Sequence, residues 1–305
     1  MPKSPNTTSG SKHIIARRVA PFAPVAIAAL MSSALLGPSG GAPGAVVPPG
    51  GPAPVNCEEV QDFEDCHSRY PVGCTQGAGK PNYDAYLNLL KNQLIAPSSA
   101  NPVKFLTSKA DYEQLDKAIP AQLASKNHFT FKDTLTAAGE TQPTGLIGYL
   151  FYVKSEGAES SNCQLPSDPP GFEDVDYHIG IGFDSDLAGQ LVAKKKVPAH
   201  SLSSNAVIVE MTPHFRDHFE KGKWTVGELT NVLGRQVKVV GQLMVDNEHN
   251  LSSQNCAMAK SAGDLASCWR MSVWELHPVI SFQVCKTNAC TQNSTDWVDL
   301  DQFGH

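Results

Sequence analysis

The chain has 305 residues, 41% of them hydrophobic and 18% charged, and a formal net charge of −6. That length and composition suit a globular protein with a substantial core and exclude a low-complexity or fibrous polymer. The acidic balance disfavours nucleic acid as a partner, because non-specific binding of that kind rests on basic side chains against phosphates.

Residues 1–45 read as a secretory signal peptide. Lys3, Lys12, Arg17 and Arg18 stand there without a single acid, and a mildly apolar run from Val19 to Leu36 follows and ends in small residues. Pro21, Pro24, Ser32 and Ser33 interrupt the run, which falls short of the ~20 apolar residues of a membrane span. The expectation is a secreted or periplasmic protein with no membrane span in its mature form. Without the leader, about 20 basic residues face 30 acids, a mature charge of about −10. Residues 46–56 are a Pro/Gly-rich linker.

All eight cysteines (57, 66, 74, 163, 256, 268, 285 and 290) lie downstream of the leader. An even count behind an export signal reads as four disulfides, and no Cys-x-x-Cys pair favours a thiolate metal site. Connectivity stays open, with Cys256–Cys268 and Cys285–Cys290 the most local closures. Residues 57–140 form a Cys-containing helical region. In it a disulfide-tied cap spans 57–74, a helix capped by Asn82 carries Tyr83, Tyr86, Leu87, Leu90 and Leu94 at helical spacing, and another starts at Ser108 with Asp111 three residues on.

From Gly145 the period changes to two. Strands are expected at 146–154, 174–183, 206–211, 236–245 and within 269–285, with a helix at 226–233 opened by Thr225 and Glu228 and closed by Gly234. In the last strand Trp274, Leu276, Ile280, Phe282 and Val284 fall on one side, and Glu275, His277 and Ser281 on the other. Pro278 requires a bulge, a bend or an edge there. Three strands, a helix and two strands is the order of an OB-like five-stranded barrel. The fold expected is therefore mostly β: that barrel over residues 141–290, or a partly open one, preceded by the small disulfide-tied helical segment and followed by a tail at 291–305. A generic β-sandwich is the competing arrangement. Residues 187–205 read as a long inserted loop, with Lys194–Lys196 as a solvated turn.

Ionisable residues recur where the strand pattern turns side chains away from the core. They are Asp174, Asp176 and His178; Glu210; Asp246 and His249; and Glu275 and His277. Three histidines with several carboxylates match the ligand set of a divalent metal such as zinc, with Asp176, His178, Asp246, His249 and His277 as ligands and Glu210 and Glu275 as acid-base groups. The plainer explanation is a row of polar groups facing water on a half-solvated sheet. His214, Arg216 and His218 fall on a short helix after Pro213 but lack the zinc-protease signature. No nucleophile elbow, phosphate loop or dinucleotide fingerprint is present, and Asn250 and Asn293 open formal glycosylation sequons.

Ser161-Asn162-Cys163, Asp176 to Ile179, Val207 to Pro213, Val239 to His249 and Trp269 to Val279 carry a resemblance. Together they resemble a family of secreted bacterial proteins of unknown function that share an Asp-x-His-Ile, a Val-Glu-x-Thr-Pro, an Asp-x-x-His and a Trp-Glu-(Ile/Leu)-His-Pro-Val motif. The resemblance spans about residues 145–285 and implies export and an OB-like barrel, without an activity. It departs at His214, where the family pattern has arginine. Two functions fit: a metal-dependent hydrolase of the phosphoester class, or a non-catalytic OB-type module for a saccharide, peptide or envelope partner, in either case with a small-molecule or polymeric extracellular ligand.

Overall fold

The computed structural model describes residues 57, 60, 62–75, 84–93, 96–125, 127–165, 175–218 and 224–304. The leader, the linker, Asn82 and Asp174 lie outside these. The strands are β1 (Lys104–Leu106), β2 (Pro143–Ser155), β3 (Tyr177–Gly182), β4 (Ala206–Met211), β5 (Gln236–Val245), β6 (Trp274–Cys285) and β7 (Trp297–Asp299). Around the barrel they run β2-β3-β4-β6-β5 and back to β2. Every pairing in this ring is antiparallel except β4–β6, which is parallel with Val209 opposite Leu276. The five-stranded closed barrel is thus the expected one, and closure leaves its strands no free edge along the ring. β1 lies parallel to the start of β2, and β7 pairs with the end of β6, drawing residues 297–299 into the sheet.

Alternation fills the barrel with Leu146, Leu150, Ile179, Ile181, Val207, Val209, Val237, Val239, Leu276 and Phe282. On β3 the opposite face carries Gly180, where an added Cβ would stand 2.1 Å from the Tyr152 ring, so only glycine lets that ring lie across the strand. Pro278 sits at the expected irregularity. Val240 faces Ser281, Gly241 faces Val279 and Leu243 faces Leu276, so β6 carries an extra residue on each side of Val279, and the His277–Pro278 peptide is cis. The bulge changes the phase: Val279 enters the core, and Ile280, expected inside, does not.

The helices are α1 (Phe63–Arg69), α2 (Ala85–Asn92), α3 (Lys109–Asp116), α4 (Lys132–Ala138), α5 (Ser185–Val192), α6 (Ala199–Ser203), α7 (Pro213–His218), α8 (Val226–Asn231) and α9 (Ala262–Ser267). Asp84, two residues after Asn82, caps α2 by accepting from the Tyr86 and Leu87 amides. Ser108 and Asp111 form the expected capping box of α3. The stretch read as a loop at 187–205 instead holds most of α5 and all of α6. Ala188 and Leu202 bury themselves against Phe151, so tertiary packing stabilises helices whose own apolar stripes are short.

The disulfides are Cys57–Cys74, Cys66–Cys163, Cys256–Cys268 and Cys285–Cys290, and no cysteine is free. Two are the expected local closures, while Cys66–Cys163 ties α1 to the loop after β2 across a separation of 97 residues. A buried pin holds the helical region to the barrel: His128 Nε2 lies 2.8 Å from Glu140 Oε1 and its Nδ1 2.7 Å from Asn247 Oδ1. No helix among the described residues is long and apolar enough to cross a membrane.

Candidate metal and acid-base site

Asp176, His178, Glu210, Glu275 and His277 leave the barrel core as their strand parity dictates, but the face they occupy is not solvated. Asp176, Glu275 and His277 are wholly buried, Glu210 is 1% exposed and His178 4%. The expectation of a half-solvated row is corrected here. The cover comes from the N-terminal region: α2 lays Leu87 and Leu90 on Met244 of β5. Asn88 and Asn92 bind Ser160 and the Ser161 carbonyl in the loop after β2, the loop that Cys66–Cys163 anchors.

Charges buried this way need partners. His178 stands between two carboxylates, with Nδ1 2.7 Å from Glu156 Oε1 and Nε2 against Glu210 Oε1. Burial lowers its pKa, yet Glu210 and Glu156 overcome this and bring it up to about 10, so the ring is an imidazolium. Glu210 is likewise pushed up by burial and pulled well below the usual carboxylate range by His178 and His277. Its other oxygen, Oε2, lies 3.1 Å from His277 Nδ1. The two histidines expected to lie together, 178 and 277, therefore share one carboxylate. His277 Nδ1 also bonds Glu275 Oε1 at 3.4 Å, and its Nε2 is 3.6 Å from Asp176 Oδ2. Burial pushes the Asp176 carboxyl up to about 7.

Arg270 connects this centre to a second pair: Nη2 binds Glu275 Oε2 at 2.9 Å and Nη1 binds Asp246 Oδ2 at 2.8 Å. Asp246 in turn meets His249 Nδ1. A cavity of about 500 Å³ opens beside both groups, lined by His178, Glu210, Asp246, Glu248 and His249 together with Lys91, Glu159, Asn88 and Gln254. Lys91 Nζ is 2.7 Å from Glu159, and despite burial that acid with Glu210 and Asp246 holds the ammonium charged.

Of the seven residues singled out from sequence, Asp176, Glu210 and His277 converge most tightly, each offering one ligand atom within 4.8 Å of the others. His178 is ill placed as a ligand, since Glu156 and Glu210 stand within hydrogen-bond distance of its two nitrogens, whereas His277 Nε2 has no carboxylate that close. Glu275 orients His277, and Asp246 with His249 stands apart from the triad. Sequence reading missed Lys91, Glu156, Glu159, Trp269 and Arg270. Lys91 alone had a signal, because it follows Leu87 by four residues on the apolar stripe of α2, where a lysine must be buried. Arg216, on α7, is structural: its guanidinium donates to the Met211 and Val175 carbonyls and stacks 3.7 Å over the Tyr177 ring. No protein-family model, curated protein or solved structure matches this chain.

Proposed function

We propose that the protein is an exported, divalent-metal-dependent hydrolase whose metal lies between Asp176, Glu210 and His277. One observation carries the reading: Asp176 Oδ1 and Oδ2 and His277 Nε2 are buried without a hydrogen bond, and Glu210 Oε2 beside them has only the ion pair to His277 Nδ1, 3.1 Å away. A buried polar atom left unsatisfied costs on the order of 1–3 kcal/mol, and a cation between these groups satisfies them together. Two carboxylates and an imidazole suit Zn²⁺ or Mn²⁺, and three protein ligands leave a position for a water that the metal acidifies. Glu275 on His277 Nδ1 leaves Nε2 for the metal, the usual division of labour in a carboxylate–histidine ligand pair. The substrate class is a phosphoester, whose charge the metal, Lys91 and the His178 imidazolium offset on a generally acidic protein. Four disulfides support action outside the cytoplasm.

The test is hydrolysis of bis(p-nitrophenyl) phosphate by chelator-stripped protein before and after addition of Zn²⁺ or Mn²⁺. Metal-dependent turnover that vanishes in Asp176→Asn is expected; no turnover with either metal rejects the hydrolase. A second reading, a saccharide- or peptide-binding module, draws support from the mutual pairing of the charges, Arg270 between Asp246 and Glu275, and from neutral hydrogen-bonding groups such as Asn88 and Gln254 in the cavity. Glycan binding without metal or turnover is its signature.

A further inference from the structure

The cavity, which Glu210 alone of the triad lines, carries a second chemical device. His249 ends the single turn Asn247–His249 that follows β5, with its side chain 33% exposed in the cavity wall. Its Nδ1 lies 2.5 Å from Asp246 Oδ2, an oxygen that also accepts from Arg270 at 2.8 Å. Asp246 is 2% exposed. The edge of Trp269 packs on the imidazole at 5.1 Å between ring centres, so a carboxylate and an aromatic together hold the ring. Among the described residues its Nε2 has no hydrogen-bond partner, and the residue lines the cavity.

We propose that His249 is the proton-transfer group of this cavity, oriented by Asp246, and that it is not a metal ligand. The inference rests on the hydrolase reading for the reaction it serves. With Nδ1–H donated to Asp246, the Nε2 lone pair takes a proton from a water in the cavity. That O–H bond breaks as N–H forms, and the hydroxide oxygen attacks the ester. The leaving oxygen then takes the Nε2 proton, which restores the neutral ring. Asp246 stays ionised throughout, as a positioning residue, because His249, Arg270 and Lys91 hold its carboxyl well below the usual range against burial. The groups facing the ring are Asp246 and Glu248 on its own turn, Arg270 and Trp269 from the segment before β6, and Lys91 from α2. Burial lowers the imidazolium pKa, Asp246 raises it, and the balance lies above 6.5.

Nuclear magnetic resonance of protein carrying isotope-labelled histidine tests this directly. The neutral ring is expected as the Nδ1–H tautomer with bare Nε2, titrating above 6.5 in wild type and lower in Asp246→Asn, where burial, Arg270 and Lys91 all act to lower it. An Nε2–H tautomer in wild type overturns the proposal, whether or not Asp246→Asn folds. Zn²⁺ is the second probe: His249→Gln should retain the wild-type Zn²⁺ stoichiometry, and its loss would make His249 a ligand. If wild type binds no Zn²⁺, the hydrolase reading falls while the tautomer still decides the dyad. Where bis(p-nitrophenyl) phosphate is cleaved, His249→Gln should lower kcat about 10²–10⁴-fold at unchanged Zn²⁺ content, and an unchanged kcat overturns the role.

Discussion

The His178 ring lies between Glu156 and Glu210 and beside the Trp269 face, with ring centres 6.4 Å apart. From strand parity alone the residue points outward, which predicts that His178→Ala is harmless to the fold. Burial reverses that expectation. Removing the imidazolium strands Glu210, 1% exposed, beside the other acids of the centre, and stripping one partner from a buried pair costs about 3–5 kcal/mol. Urea unfolding should show His178→Ala destabilised by that amount, and a loss under about 1 kcal/mol, the value of an exposed pair, would place the ring in solvent. His277 follows a different rule if a metal binds there, because the metal then repays the cost: His277→Gln should abolish the stabilisation that added Zn²⁺ gives wild type.

At the scale of elements, much of the barrel was legible. Ala206–Met211 and Gln236–Val245 are strands with the bounds expected from the sequence, the first from an apolar run broken only by Glu210, and Ser108–Asp111 and Thr225–Glu228 open helices where capping chemistry places them. These signals are local, so one strand or one turn suffices to show them. The cover over the site is not local. α2 and Lys91 reach the barrel's outer wall from more than fifty residues upstream of β2, and Cys66–Cys163 holds the loop they grip, a pairing that spacing does not select among the 105 that eight cysteines allow. The phase change at Pro278, which puts Val279 inside in place of Ile280, was foreseeable as a bulge but not in its direction. Two predictions belong here. Opening Cys66–Cys163 by paired alanine substitution should cost about 4–5 kcal/mol, against about 2 kcal/mol for Cys285–Cys290, since the entropy lost by the unfolded chain grows with loop length. Equal losses in calorimetry would contradict that dependence on loop length. Gly73 has φ +67° and stands where a Cβ would be 2.0 Å from the Ser160 carbonyl oxygen. Gly73→Ala should therefore destabilise by more than about 1 kcal/mol and displace the Ser160 loop, and a stabilised variant would refute the contact.

Across the whole molecule, the helical region and the barrel are joined by a titrating pin. Asn247 turns its oxygen to His128, because its amide nitrogen donates to the Ala124 carbonyl, and Glu140 accepts on the other side. Both ring nitrogens must then donate, which requires the imidazolium. Burial lowers its pKa, Glu140 outweighs burial, and the value in the folded protein lies above the ordinary 6.5. The pin's contribution is thus complete below pH 6.5, where the unfolded chain is protonated too, and fades as pH rises through the folded value. The stability difference between wild type and His128→Gln should shrink over that alkaline window, and a difference that grew with pH would contradict the pairing.

The central claim is a metal held by Asp176, Glu210 and His277 under the cover of α2. X-ray absorption spectroscopy of the disulfide-intact protein loaded with one equivalent of Zn²⁺ tests it most directly. The predicted result is a first shell of one imidazole nitrogen and carboxylate or water oxygens at about 2.0–2.2 Å, absent in Asp176→Asn. A shell holding two or more imidazoles, or a spectrum unchanged by Asp176→Asn, would contradict it.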